Sequence, residues 1–406
     1  MDTCSCPICQ MPLPIHEIER HVNGHFEDDQ VARDMELAQQ IALAPPSPPH
    51  TDSRFYSDLQ FESVFEEVPE SSTSWDRQRS SNEERKDIGE QISYIISLQS
   101  RAAFYRVEGG LINLLKNCLE CEDSVSILSG YVDHFQSTRS EDMGWGCGWR
   151  NIQMVSSHLI SEIPEAREAL FGGSRFVPDI GSLQRWLEVA WQKGFDIPGS
   201  NYFNGKIYGS KKWIGTTECA GLLRSFGLRA RIVDFDGEGG KRKVGQACGP
   251  MDRFVIRKKM NTSEGLDEVG DCNRSNSKGF QVLIDWVWSY FSKNEPKVPG
   301  RHSVLITNKM PLYFQHQGHS RTIVGVQVKH QKNGLKDYNL LVLDPGHSTE
   351  ALERSLKQNS GWQRFLKRGV HTLKKPQYQL CYVDPGIAGT EEMEQLKTLN
   401  SVLIEC

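Results

Sequence analysis

The sequence lacks the features that would send a protein into a membrane or into the secretory pathway. It contains no apolar run of the roughly 18 residues that a membrane-spanning helix needs. Its first residues form neither the basic nor the apolar part of a signal peptide. We therefore expect a protein that does not bind membranes and that resides in the cytoplasm and the nucleus.

The sequence also lacks a disulfide framework and a strongly basic region. Its 11 cysteines are an odd number and, apart from three within the first nine residues, they are scattered. Reduced thiols are therefore expected, and they are available for metal binding or for catalysis. Residues 1–90 contain 19 acidic and 7 basic side chains, and the rest of the chain contains 33 and 40. This balance does not favour direct nucleic-acid binding. We expect a monomer.

The N-terminal segment has the residue spacing of a zinc site. Two residues separate Cys6 from Cys9, and eleven residues later three residues separate His21 from His25. Two thiolates on a tight turn and two imidazoles one helical turn apart form a closed tetrahedral Zn²⁺ site. A segment this small has almost no core, so the metal must supply much of its folding energy. We predict a ββα-type zinc finger with structural Zn²⁺, and Cys4 is an alternative ligand to Cys6.

The helix expected in this finger, which spans residues 1–26, is acidic, and phosphates would repel it. Its Cys-Pro-x-Cys and His-Val-Asn-x-His motifs resemble those of ubiquitin-binding zinc fingers. Residues 27–44 then form an acidic helix-like segment with a small alanine at the centre of an apolar stripe. The segment is similar to the inverted type of ubiquitin-interacting motif, which implies that ubiquitin is bound by Asp34, Met35, Leu37, Ala38 and Ile41. An ordinary amphipathic helix is the alternative.

Three further regions follow from composition and periodicity. Residues 45–86 are rich in Pro, Ser, Asp and Glu, and we predict a disordered linker because they cannot bury enough apolar surface to fold. Helical spacing predicts a helical arm over 87–122, and 123–406 form a mixed α/β domain with a loop insertion, expected to be mobile, at 237–279. Within this domain the patterns predict helices over 180–195 and 281–291 and strands over 303–306, 322–326 and 340–343.

The segment Met143-Gly-Trp-Gly-Cys147-Gly-Trp-Arg has the character of a nucleophile site. Glycines on both sides leave the Cys147 thiol open to an approaching backbone, and the residues after it have helical character. A cysteine at a helix N-terminus has its thiolate stabilised by unpaired N–H groups and by the helix dipole. This is the layout of a papain-like cysteine protease. A buried structural cysteine in a glycine-rich turn is the alternative.

A thiol nucleophile needs a base, and the base needs a group that orients it. His319 opens one predicted strand and Asp344 closes the next, so the two side chains can meet across the sheet. Cysteine, histidine and aspartate then follow in the papain order. Gln315 or Gln317 could donate a hydrogen bond to the oxyanion, and we favour Gln315. His316 has no part in this scheme.

Three motifs together carry a family resemblance: Gly-Trp-Gly-Cys147-Gly, Gln-His-Gln-Gly-His319-Ser-Arg-Thr and Leu-Asp344-Pro. They closely resemble the zinc-finger-containing ubiquitin peptidases (ZUFSP), the deubiquitinating branch of a family that also holds the proteases of ubiquitin-fold modifier. The resemblance covers residues 87–406 and, through the N-terminal modules, most of the chain. It implies a papain-like α/β fold, a Cys–His–Asp triad with Gln315 as oxyanion donor, no catalytic cofactor, and cleavage of lysine-63-linked polyubiquitin. The helices at 87–121 match the arm that grips a distal ubiquitin in such enzymes.

The sequence departs from the family pattern in three places. It has one recognisable finger where animal members carry several, and the insertion at 237–279 is not part of the pattern. His347 follows Asp344-Pro345 one residue further on than the histidine of the modifier-specific branch, and it is a rival base to His319. We predict an isopeptidase that acts on polyubiquitin chains. A protease specific for ubiquitin-fold modifier and a non-catalytic ubiquitin-binding adaptor are the alternatives.

Two other motifs are assigned to structure rather than to function. Cys118 and Cys121 repeat the Cys-x2-Cys spacing without a second pair of ligands nearby, so we expect them on a helix surface or in the core. Trp213 is expected in the core, and a position in the wall of the cleft is the alternative.

Overall fold

A computed structural model describes residues 3–5, 12–14, 88–236, 256–259, 281–293, 303–316, 318–331 and 336–405. The predicted zinc ligands, the ubiquitin-interacting helix, the linker and Gln317 lie outside these residues. Near the N-terminus, Thr3–Ser5 (β1) pairs antiparallel with Pro12–Pro14 (β2). No helix in the described ranges is long and apolar enough to cross a membrane.

The helices lie on both faces of a central sheet. Their bounds are 88–98 (α1), Leu111–Glu120 (α2), Cys147–Glu162 (α3), Pro164–Ala169 (α4), Ile180–Gln192 (α5), Ile197–Tyr202 (α6), Thr216–Ser225 (α7), Gln281–Ser292 (α8), Thr349–Lys357 (α9), Gln363–Leu366 (α10) and Thr390–Leu396 (α11). The helix that begins at Cys147 is largely enclosed, with Gly148 to Ile160 all buried. The residue at its exposed N-terminal end is thereby held on a rigid support.

The other strands that the structure describes form one mixed sheet. Their bounds are Val125–Leu128 (β3), Leu228–Asp236 (β4), Ile256–Lys259 (β5), Ser303–Ile306 (β6), Leu312–His316 (β7), His319–His330 (β8), Lys336–Leu343 (β9), Lys367–Gly369 (β10), Gln377–Ile387 (β11) and Asn400–Glu405 (β12). The order across the sheet is β10-β9-β8-β7-β11-β4-β12-β5, and β3 joins β6 to the distal half of β8. β12 runs parallel to both of its neighbours, whereas β7, β8 and β9 are antiparallel.

Two apolar cores lie on opposite faces of this sheet, because successive side chains of a strand point to opposite faces. Tyr313 of β7 belongs to the core that contains α2, α3, α5 and α7. Its neighbours Leu312 and Phe314 belong to the core that contains α8. The sheet is therefore covered on both faces, and α3 packs directly against β8.

The predicted elements of the domain are confirmed with small shifts. The helix expected over 180–195 is α5, and Asp179 caps it by accepting a hydrogen bond of 2.8 Å from the N–H of Ser182. The helix expected over 281–291 is α8, and the strand expected over 303–306 is β6. The apolar runs over 322–326 and 340–343 fall within β8 and β9, which are longer than predicted.

The insertion at 237–279 differs from the expectation of a loop throughout. Ile256–Lys259 within it forms β5, which pairs parallel with Asn400–Leu403 of β12. The edge of a sheet presents unpaired N–H and C=O groups that any extended segment can join. Composition is a poor guide to backbone pairing, so this basic segment was not recognised as a strand from the sequence.

The second Cys-x2-Cys pair lies on a helix, as expected. Cys118 is buried on α2, with its sulfur 3.1 Å from the carbonyl oxygen of Leu356. Cys121 is exposed at the C-terminal end of the same helix. Leu111, Leu115 and other apolar residues of α2 belong to the core shared with α3, so the second helix of the predicted arm packs into the domain.

Candidate active site

Cys147 is the first residue of α3 and is half-buried. Gly146 stands at the cap position without a side chain that could satisfy the first N–H groups of the helix, so these groups and the helix dipole face the thiol. Gly148 lets the helix approach its neighbours, because an added Cβ would lie 2.7 Å from the Ile214 carbonyl oxygen and 3.0 Å from the Tyr313 hydroxyl.

A buried ion pair fixes the turn that leads into Cys147. The guanidinium of Arg150 contacts both carboxylate oxygens of Asp142, at 2.8 and 3.0 Å, and both side chains are buried. Asp142 also accepts from the N–H of Thr138, and its carbonyl oxygen accepts from the N–H of Gly146 at 2.8 Å. A Cβ at Gly146 would lie 2.2 Å from an Asp142 oxygen, so only glycine fits there. The turn therefore has little freedom to move the nucleophile.

The structure brings His319 and Asp344 together as the sequence predicts. His319 is the first residue of β8, and Asp344 directly follows β9, the antiparallel neighbour of β8. His319 Nε2 lies 2.8 Å from Asp344 Oδ1, which also accepts from the N–H of Gly346 at 2.9 Å. Arg321 donates from Nε to Asp344 Oδ2 at 2.6 Å. The buried carboxylate of Asp344 is thus bonded to the base His319 and to the cation Arg321 at the same time.

The charges of this cluster are set by its contacts. Burial opposes ionisation of Asp344, but the charges of His319 and Arg321 outweigh it and hold the pKa of the carboxyl well below its usual range. Burial also opposes protonation of His319, but the charge and hydrogen bond of Asp344 and the hydrogen bond with Cys147 raise the pKa of His319 to about 10. At neutral pH the imidazole of His319 is therefore in its positively charged, doubly protonated form.

The Cys147 thiol has a lowered pKa. Burial alone would raise it, but hydrogen bonds from His319 and from the hydroxyl and N–H groups of Ser320, together with the charge of His319, reverse the shift. Ser320 is held in turn by Asn151, whose side-chain nitrogen lies 2.9 Å from the Ser320 hydroxyl. The described geometry therefore favours a thiolate beside an imidazolium, which is the reactive form of a cysteine nucleophile.

His347, the rival base, lies in a different environment. The His347 ring meets Phe365 edge-on with ring centroids 5.2 Å apart, and the backbone N–H of His347 donates to the carbonyl oxygen of Asp344. Burial lowers the pKa of His347 to about 4, despite the nearby charge of Asp344. Its imidazole is therefore neutral at physiological pH, whereas that of His319 is protonated.

Gln315 lies beside the thiol cluster on β7. It stands directly opposite Ser320 in the β7–β8 pair, and its side-chain oxygen accepts from the N–H of Thr216 at 2.9 Å. Its neighbour His316 has a partner that the sequence did not indicate, because Arg321 Nη1 lies 3.1 Å from His316 Nε2.

Arg321 could have been found in the sequence. It lies two residues after His319 in a predicted strand, so it shares a face with the base. The hydrogen bond from Thr216 to Gln315 had no such signal in the sequence, because it depends on how α7 packs against β7.

Trp213 is on the surface rather than in the core. Its side chain remains 38% exposed, and its indole N–H donates to the carbonyl oxygen of Gly144 at 2.8 Å. Gly144 precedes the nucleophile by three residues and has a φ of +88°, a conformation that favours glycine. The expectation of a core position is therefore wrong, and the indole instead holds the turn that ends at Cys147.

Within the described ranges, no group of three or more His, Cys, Asp or Glu side chains is arranged to hold a metal ion. The four predicted zinc ligands Cys6, Cys9, His21 and His25 lie outside those ranges.

A thiol at a helix N-terminus, with a histidine and an aspartate on the sheet behind it, defines the class of papain-like cysteine peptidases. The sequence matches Peptidase family C78 over residues 122–381. The chain therefore belongs to this peptidase family, and its fold is the mixed α/β fold that the sequence predicts.

The relatives of the chain include two proteins whose names state a function. Zinc finger-containing ubiquitin peptidase 1 of Rattus norvegicus is 35% identical over 277 residues, which are 68% of this chain and 40% of the rat protein. Ubiquitin carboxyl-terminal hydrolase mug105 of Schizosaccharomyces pombe is 27% identical over 265 residues, 65% of this chain and 85% of that protein. The crystal structure of UfSP from C. elegans superposes with a TM-score of 0.36 at 16% identity, over 64% of this chain and 34% of that one.

Proposed function

We propose that the protein is a deubiquitinase, a thiol-dependent isopeptidase that hydrolyses lysine-63-linked polyubiquitin. The single observation that carries the proposal is the cluster in which the Cys147 thiol, His319 and Asp344 are joined by hydrogen bonds. The two relatives named as a ubiquitin peptidase and a ubiquitin hydrolase support ubiquitin as the substrate. The chain spans about 40% of the rat relative, so the substrate belongs to the proposal.

The proposed reaction begins with the Cys147 thiolate. It attacks the carbonyl carbon of the C-terminal glycine of a ubiquitin, and the carbonyl π electrons move to oxygen. When the tetrahedral intermediate collapses, the C–N bond breaks and the lysine amine leaves with the proton of His319. His319 then takes a proton from water, and the resulting hydroxide hydrolyses the thioester and releases Cys147. Asp344 orients His319 throughout and stabilises its charged form.

The oxyanion of each tetrahedral intermediate requires hydrogen-bond donors. The N–H of Cys147 at the start of α3 is one, and we assign the side-chain NH2 of Gln315 as the other. Its position opposite Ser320, which hydrogen-bonds to the Cys147 sulfur, supports this role.

The N-terminal modules supply the proposed preference for chains. A zinc finger at residues 1–26 and a ubiquitin-interacting helix at 27–44 each bind one ubiquitin weakly and raise the local concentration of a chain that both engage. The lysine-63 preference follows from the resemblance of the sequence to the ZUFSP branch.

The test is cleavage of tetra-ubiquitin of each linkage, with a precursor of ubiquitin-fold modifier alongside. The wild type is compared with Cys147→Ala and with Cys121→Ala, which removes an exposed thiol on α2 and serves as the matched control. We expect the wild type and Cys121→Ala to cut lysine-63 chains and Cys147→Ala to cut nothing. Cleavage of the modifier precursor alone would show that the protein is a protease of ubiquitin-fold modifier. Binding of ubiquitin chains without cleavage would show that it is an adaptor.

A further inference from the structure

A row of polar side chains crosses the sheet toward the nucleophile. Asp234 of β4 stands opposite Gln379 of β11, Gln379 opposite Gln315 of β7, and Gln315 opposite Ser320 of β8. We call these four residues the polar row. Asp234 and Ser320 are buried, in a sheet whose other interior positions are largely apolar. Polar groups at such positions are costly unless each is hydrogen-bonded, so their pairing must be specific.

Thr216, the first residue of α7, joins the members of the row. Its N–H donates to Gln315 Oε1 at 2.9 Å, and its hydroxyl donates to Gln379 Oε1 at 2.8 Å. Gln379 donates from Nε2 to Asp234 Oδ1, and the hydroxyl of Ser401 donates to the other oxygen of Asp234. The bonds thus form a continuous chain from β12 to β7.

The direction of every bond in this chain is set by groups that cannot reverse. Asp234 accepts from Gln379 Nε2 at one oxygen and from the Ser401 hydroxyl at the other, so it holds the NH2 of Gln379 toward itself and the oxygen of Gln379 toward Thr216. A backbone N–H only donates, so Thr216 turns the oxygen of Gln315 toward α7. The NH2 group of Gln315 then points away from Thr216. Gln315 lies between Gln379 of β11 on one side and Ser320 of β8, which belongs to the thiol cluster, on the other.

The end of α7 is itself held in place. Glu218 accepts from the N–H of Gly215 at 2.7 Å, and both Thr216 and Glu218 are buried. Movement of the Thr216 N–H is therefore restricted from both sides, by Glu218 within the helix and by Gln379 on the sheet.

We propose that Thr216, Gln379 and Asp234 are positioning residues that fix the carboxamide of Gln315 with its NH2 toward the carbonyl oxygen that Cys147 activates by attack. This inference rests on the proposed function, because it concerns the oxyanion of that reaction. The residues touch neither the substrate nor the thiol. They act only through the orientation of Gln315, which must be right before the substrate arrives if the donor is to act without reorganisation.

The test uses two substitutions at one position. Thr216→Val keeps the shape and the N–H but removes the hydroxyl that bonds to Gln379, whereas Thr216→Ser keeps both groups. Hydrolysis of ubiquitin with a C-terminal aminocoumarin amide gives kcat and KM, and the rate of iodoacetamide alkylation reports Cys147. Alkylation forms no oxyanion, so it separates the donor from the nucleophile.

We expect Thr216→Val to lower kcat by about tenfold, less than the 10²–10³ that loss of a whole oxyanion donor costs. KM and the alkylation rate stay within about twofold of wild type, and Thr216→Ser restores kcat. Gln379→Met, which removes the same bond from the other side, gives the same pattern and serves if Thr216→Val does not fold. In a Gln315→Ala background neither substitution lowers kcat further, because the group that they position is gone.

Three results would overturn the inference: unchanged kcat in both Thr216→Val and Gln379→Met, equal loss of kcat and alkylation rate, or an additive loss on Gln315→Ala. Each shows that the polar row merely satisfies its own hydrogen bonds or supports the domain as a whole. Failure of the wild type to hydrolyse any ubiquitin substrate is a different result, which removes the proposed function and this inference with it.

Discussion

At the scale of single residues, the reactive state of Cys147 depends on its neighbours rather than on exposure. Burial by itself would raise the pKa of its thiol, and only the hydrogen bonds from His319 and Ser320 and the charge of His319 reverse that shift. Arg321 competes with His319 for Asp344 and acts to lower the pKa of His319, which nevertheless stays raised to about 10. The charges of His319 and Arg321 together hold the pKa of the Asp344 carboxyl well below its usual range, despite its burial.

The pH dependence of Cys147 alkylation tests this arrangement. The thiolate is present above the pKa of Cys147, and the protonated base is present below the pKa of His319, so hydrolysis should be lost on the alkaline side near pH 10. His319→Ala removes the charge and the hydrogen bond that lower the thiol pKa, so the midpoint of alkylation should move to higher pH. Hydrolysis by this variant should fall by about 10²–10⁴-fold.

His347→Ala is the matched control for His319→Ala. Its ring packs on Phe365, and burial keeps it neutral, so its removal should leave the alkylation midpoint where the wild type has it. A shift of the midpoint in His347→Ala, with none in His319→Ala, would exchange the roles that we propose for the two histidines.

Sequence motifs were sufficient to locate the catalytic candidates but not the residues that hold them in position. Cys147, His319 and Asp344 stand in short segments whose chemistry is visible in the sequence, and the structure brings them together. Thr216 and Gln379 stand in segments without such a signal. Their contact depends on the register of β11 against β7 and on where α7 begins, and neither is encoded in a local pattern.

At the scale of secondary-structure elements, the short helix α6 has an unusual first turn. Asp196 caps it from a left-handed conformation with φ +51°, accepts from the N–H of Gly199 and is completely buried. Burial, together with the charge of Glu218, raises the pKa of Asp196 from 3.8 to about 7. The folded protein therefore holds a proton on Asp196 in a pH range where the unfolded chain has released it.

Stability should accordingly fall as the pH rises from about 4 to about 7, by at most about 4 kcal/mol from this group. Asp196→Asn keeps the acceptor for Gly199, tolerates the left-handed backbone and never ionises. We expect its unfolding free energy to exceed that of the wild type by more at pH 8 than at pH 5, as measured by urea denaturation.

Asp179→Asn is the control for this prediction. It makes the same change at the cap of α5, where the side chain is partly exposed. Equal effects of the two substitutions at both pH values would show that the helix cap, rather than the buried carboxyl of Asp196, determines the difference.

Helices and buried strands were the elements that the sequence predicted well. The spacing of Leu183, Trp186, Leu187 and Ala190 identifies α5, because each of these residues is buried on one face. The strand β5 was not predicted, because its pairing with β12 depends on a partner about 140 residues away in the sequence, a distance beyond any local pattern.

At the scale of the whole molecule, we propose that the N-terminal modules bind ubiquitin weakly and that one peptidase domain cleaves the chain. The zinc finger and the helix of residues 27–44 stay predictions, because they lie outside the described residues. Their composition and spacing identify candidates, but no local pattern shows how a tethered module meets the domain.

Removal of the predicted zinc tests the first module. Cys9→Ser should abolish binding of one equivalent of zinc, measured by atomic emission, since a structural site needs all four ligands. We expect cleavage of long ubiquitin chains to fall by about tenfold through lost avidity, with little change for the single-ubiquitin aminocoumarin substrate.

Cys4→Ser serves as the control for the ligand set. If Cys6 is the ligand, this variant keeps its zinc and its activity on long chains. Loss of zinc in Cys4→Ser would show that Cys4, rather than Cys6, is the zinc ligand. An equal loss of activity on both substrates in Cys9→Ser would contradict a role of the finger in avidity.

The separation along the chain between the two halves of the site has a consequence for the protein during its synthesis. Ser320, next to the base, bonds to Asn151, one turn after the nucleophile, across 169 residues of sequence. At ordinary rates of translation the ribosome needs roughly 10 to 30 s to add that length. Throughout this interval the nascent chain contains Cys147 but not His319. Until His319 and Ser320 have been added, the thiol lacks the charge and the hydrogen bonds that lower its pKa in the folded domain, so the nucleophile becomes reactive only when most of the domain has been synthesised.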